Sequence, residues 1–86
     1  MSKKTPLTMD GHLCLGKSVK EAMASITDIW SSTMKAFTLK SPVFRGVEKV
    51  RHNLMKLRSD LENDMFNRHG SDPRASIEVY YGKLKE

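Results

Sequence analysis

The amino-acid sequence predicts an all-α protein, an antiparallel hairpin of two long helices plus a short C-terminal helix, completed by self-association. Three observations carry that expectation. Within residues 41–70 the apolar side chains Val43, Val47, Val50, Leu54, Leu57 and Leu61 recur at alternating steps of four and three, and at 3.6 residues per turn that spacing puts all six on one stripe. Upstream, Val19, Met23, Ile26, Trp30, Met34 and Phe37 recur in nearly the same way, with Ile29 beside them. Only residues 39–41 separate the two patterns, and a link that short makes antiparallel neighbours of the helices it joins.

Each element has its own start and stop signals. Residues 1–16 show no sustained period and contain Pro6, Gly11 and Gly16; they read as a flexible basic arm with a short extended piece around residues 13–15, ahead of a single domain over 17–86. The first helix is expected to open at a capping box, Ser18 with Glu21 three residues on, and to end near Thr38. For the second, Ser41 is the cap and Pro42 fits the first helical position. Gly70 supplies a left-handed close, and Gly46 weakens the first turns by about 1 kcal/mol. Ser71, Asp72 and Pro73 then predict a third helix over 73–85, with Ile77, Tyr81 and Leu84 on its apolar face. The alternation Ile77, Val79, Tyr81 beside Tyr80 offers a competing strand, which the helix-specific Asp-Pro start outweighs.

At 86 residues with a net charge of +5, the chain has room for one small domain, which is marginal unless well packed or oligomeric. A single cysteine, Cys14, excludes an internal disulfide and suggests a reducing compartment. No apolar run approaches a membrane span and the first residues lack a signal-peptide core, so a cytoplasmic setting is expected. The long helix is basic in its first half (Arg45, Lys49, Arg51, Lys56, Arg58) and acidic in its second (Asp60, Glu62, Asp64). That order opposes the helix dipole. Either the basic half faces a polyanion, or a head-to-tail neighbour sets its acidic half alongside; local pairs such as Lys56 with Asp60 and Arg58 with Glu62 are the plainer account.

Gly11, Gly16, Lys17 and Ser18 spell G-x-x-x-x-G-K-S, the phosphate-loop pattern. The context it needs is missing: no strand leads into Gly11, and no strand-borne aspartate supplies a second magnesium ligand. What survives is weak anion binding at Gly16, Lys17 and Ser18, if a helix begins there. His12 and Cys14 form a lone H-x-C with no matching pair, and His52 and His69 stand too far apart to share a metal, so neither metal nor cofactor is expected. Nothing orients a nucleophile, and no catalytic residue is expected. Arg45, Lys49, His52 and Lys56 form a basic ridge about 16 Å long opposite the apolar stripe, a possible track for nucleic acid that lacks interleaved aromatics. The function that remains is a small non-enzymatic protein-binding or regulatory module acting through an amphipathic helix surface. Its expected partners are a second copy or another protein, through Val43, Val47, Val50, Leu54, Leu57 and Leu61, and the alternative is a nucleic-acid-binding dimer using the ridge.

Overall fold

In the computed structural model, which describes residues 5–82, two helices of 28 residues lie antiparallel and a one-turn helix closes their open end: α1 is Met9–Ala36, α2 is Pro42–His69 and α3 is Glu78–Tyr81. There is no strand among the described residues. The all-α hairpin with a short third helix is therefore the fold.

α1 begins earlier than its capping box. The hydroxyl of Thr8 accepts from the Gly11 N–H at 3.0 Å, so residues 13–15 are helical and not extended. Packing explains the shift. The buried and half-buried positions Met9, His12, Gly16, Val19, Met23, Ile26, Trp30 and Thr33 keep steps of three and four through the two glycines, and tertiary contact of such a face outweighs local propensity. At the far end Met34 and Phe37, assigned from sequence to the apolar stripe, are each 46% exposed. Thr33 takes the inward position instead, its hydroxyl donating to the Ile29 carbonyl at 2.6 Å.

Ser41 caps α2 by accepting from the Val43 N–H at 3.2 Å. Gly70 is not left-handed, as expected from sequence, but right-handed (φ −60°, ψ −22°). Glycine is needed there for room, because a Cβ would fall 2.5 Å from the Phe66 carbonyl oxygen. The third helix is shorter than 73–85. The Asp72 carboxylate accepts from the Arg74 N–H at 2.8 Å and pairs with its guanidinium at 3.0 Å, which closes a turn rather than starting a helix. The helix proper begins only after Ser76 accepts from the Glu78 N–H. The expected continuation through Leu84 to Lys85 lies outside the described residues.

Phe44, Val47, Arg51, Leu54, Arg58, Leu61 and Met65 form the row of α2 turned to the hairpin interior, all buried or half-buried. Two arginines thus occupy seam positions. Their guanidinium groups lie over aromatic faces, Arg51 at 5.0 Å from the Trp30 ring and Arg58 at 4.1 Å from the Tyr81 ring, so the stems cover apolar surface while the charge meets a ring quadrupole. The expected Lys56–Asp60 pair forms at 2.8 Å; Arg58 turns to Tyr81 and not to Glu62. The densest core sits at the open end, where Met9, Val19, Met65, Val79 and Tyr80 pack together. There α3 lies so close to α1 that a Cβ on Gly16 would stand 2.2 Å from the Val79 carbonyl oxygen.

The result is a single layer of helices. Its principal extents are 46 × 38 × 16 Å and its radius of gyration is 15.7 Å, against about 12 Å for a compact domain of this length. The accessible surface of 6632 Å² likewise exceeds the roughly 5,200 Å² typical of this mass.

Candidate interaction surface

The apolar stripe read from α2 is divided by the fold. Val47, Leu54 and Leu61 are half-buried along the hairpin seam, whereas Val43, Val50 and Leu57 stand 47%, 53% and 48% exposed. These last three are seven residues apart and flank the seam on one side. On that flank α1 contributes Ala22, Ser25, Ile26 and Ile29, and with Val50, Asn53, Leu54 and Leu57 they line an open groove of about 530 Å³. No charged side chain lines it, and Ile29 is itself 50% exposed.

The third helix lies on the other flank. Gly16 packs on Val79, Lys20 donates to the Glu78 carbonyl at 3.2 Å, and Arg58 stacks on Tyr81; none of the three lines the groove. A 100° step per residue explains the separation: Lys20, one residue past the seam position Val19, and Ala22, three past it, fall on opposite sides.

At the open end lies a polar cluster that the sequence did not disclose. His12 is fully buried, with Nδ1 at 2.5 Å from the Tyr80 hydroxyl and Nε2 at 3.0 Å from the Asp64 carboxylate. An ionised carboxylate only accepts, so Nε2 carries the hydrogen, and in the neutral ring Nδ1 accepts from the Tyr80 O–H. The ring edges of His69 and Tyr80 close around it at 5.7 and 5.8 Å, and His69 Nε2 bonds the Leu7 carbonyl at 2.8 Å. Arg68, with the His12 ring behind it, holds the Asp64 carboxyl below its ordinary value of 3.8. Burial, together with the Asp64 charge, pushes the Tyr80 phenol up to about 12. Each polar atom of the His12 ring has a partner and Tyr80 is fully buried, so the cluster ties three elements together, with the Asp64 side chain, 38% exposed, as its edge toward solvent.

The ridge residues Arg45, Lys49, His52 and Lys56 are all exposed. Lys56 is paired with Asp60, which offsets one of the ridge's three lysine and arginine charges, and His52 lies 3.8 Å from Glu48. Gly16, Lys17 and Ser18 fall inside α1, where backbone N–H groups are taken up by the preceding turn; the free N–H groups of this helix begin at Met9. Cys14 is exposed. Among the described residues no three His, Cys, Asp or Glu side chains are grouped to hold a metal ion, and no helix is long and apolar enough to cross a membrane. Comparison with protein-family models, with curated proteins and with solved structures gives no match.

Proposed function

We propose that this chain is a small non-enzymatic helical module, binding or regulatory in role, that acts by presenting the uncovered flank of its hairpin to the helices of another polypeptide. One observation carries the reading. A row of apolar side chains at heptad spacing, Val43, Val50 and Leu57, stands in solvent beside an uncharged groove, and such a row is the knob-bearing edge that a further helix packs against. The rest of the chain supports it by contrast. His12 and Tyr80 are buried and bonded to each other, and Lys56 of the basic ridge is paired with Asp60.

A photoreactive phenylalanine analogue at Leu57, and separately at His52, tests the reading in cells that make the protein. Position 57 is expected to give protein adducts that vanish in the Val50→Asp background, and position 52 none. Nucleic-acid adducts at 52 with nothing at 57 would overturn it in favour of the ridge.

A further inference from the structure

Resting on that reading, we infer that the chain covering the groove is a second copy of this one, docked antiparallel about a two-fold axis near Asn53, so that two flat hairpins close into a four-helix bundle. Three features single out this occupant among all possible helices.

The first is area. The chain exposes roughly 1,400 Å² more than a compact protein of its mass, while a standard interface takes about 800 Å² from each partner. One layer of helices has nothing to bury its second apolar edge against, and domains are built of at least two layers. A second hairpin supplies the missing layer with the same surface turned over.

The second is charge. From Arg45 to Arg58, α2 is basic apart from Glu48; from Asp60 onward it is acidic apart from Arg68. Laid parallel, two such helices would set like charges side by side. Laid antiparallel about Asn53, the two ends of the contact match, with Arg45 of one copy beside the Asp60–Glu62 segment of the other.

The third is register. A two-fold contact must be self-complementary, and an antiparallel alignment centred near Asn53 places Val50 of one copy opposite Leu57 of the other. It places Gly46 of one copy near Asp60 of the other, and the lining of the groove has no charge to leave unpaired at the centre. Asn53 sits on the axis itself, where two amides can bond each other, a single polar pair of the kind that fixes alignment in helical assemblies.

Light scattering on the purified full chain, with cysteine cross-linking in a Cys14→Ser background, tests the inference. The expected mass is twice the 9.8 kDa of one chain, falling to one chain in Val50→Asp with helical circular dichroism unchanged, since Val50 is half in solvent within the hairpin. Gly46→Cys alone is expected not to cross-link, whereas its mixture with Asp60→Cys gives the mixed disulfide. Self-cross-linking of Gly46→Cys with no mixed product would overturn the antiparallel arrangement. A single-chain mass at every concentration would overturn the second copy altogether. In that case protein adducts at position 57 that Val50→Asp removes would leave the module reading standing, and their absence would end both.

Discussion

Replacing Gly16 by alanine is the sharpest test of how the open end is built, because two physical effects of opposite sign meet at that position. In a helix interior, glycine to alanine stabilises by about 1 kcal/mol. At Gly16, however, the new Cβ would stand 2.2 Å from the Val79 carbonyl oxygen and 2.8 Å from the Val79 side chain. The obstacle is backbone, so α3 must move off α1. Val79 and Tyr80 then lose burial worth about 1.5–3 kcal/mol each, and His12 loses the hydroxyl that satisfies Nδ1, a further 1–3 kcal/mol or so. Partial relaxation recovers some of this. The net expectation is a loss of about 2–4 kcal/mol, which for a domain of this size lowers the melting temperature by roughly 10–25 °C. Gly46→Ala is the matched control, since nothing lies within 4 Å of its Cβ; it should gain up to about 1 kcal/mol. Thermal and urea melts followed at 222 nm, with all three proteins at one concentration, read both changes. If Gly16→Ala is as stable as Gly46→Ala, the close approach of α3 is not a constraint and the argument for the open-end core fails.

Two further outcomes follow from the buried cluster. Tyr80→Phe keeps the ring and deletes the hydroxyl, leaving a buried ring nitrogen of His12 without a donor; a loss of about 1–3 kcal/mol in urea unfolding is expected, and an unchanged midpoint would show that the 2.5 Å contact carries no stability. Asp64 has a folded-state pKa below 3.8, so its share of stability is present above that value and drains away as pH falls through the lower folded value. The urea midpoint of the wild type should therefore drop more steeply below about pH 4 than that of Asp64→Asn, and parallel curves would refute the role of the carboxylate.

The hairpin was legible because its signals are local and redundant: Ser41 with Pro42 at one boundary, and apolar residues at helical spacing on both sides of a short link. The partition of α2's stripe was not. Counting only apolar residues selects Val43, Val50 and Leu57, whereas the helix turns Phe44, Arg51, Arg58 and Met65 inward, and an arginine at a seam position announces itself only once Trp30 and Tyr81 are seen beneath the guanidinium groups. The start of α1 was hidden for a related reason. Met9, His12 and Gly16 continue the register of Val19 and Ile26, but a histidine and a glycine look like surface and turn until their partners, Asp64, Tyr80 and Val79, arrive from distant parts of the chain. The third helix was overextended because an Asp-Pro pair starts turns as readily as helices.

Tyr80 reaches His12 across 68 positions of sequence, and that span has a consequence for how the protein folds. α1 and α2 can pair across their short link before the Val79–Tyr80 segment docks, and the densest core stays open until it does. Contacts so far apart close last, after the loop entropy of everything between them has been met. During that interval the chain is helical without being locked, with Met9 and Met65 uncovered at one end and the Val50 groove at its flank. The late step that seats Tyr80 is the one that separates a sticky intermediate from the finished hairpin.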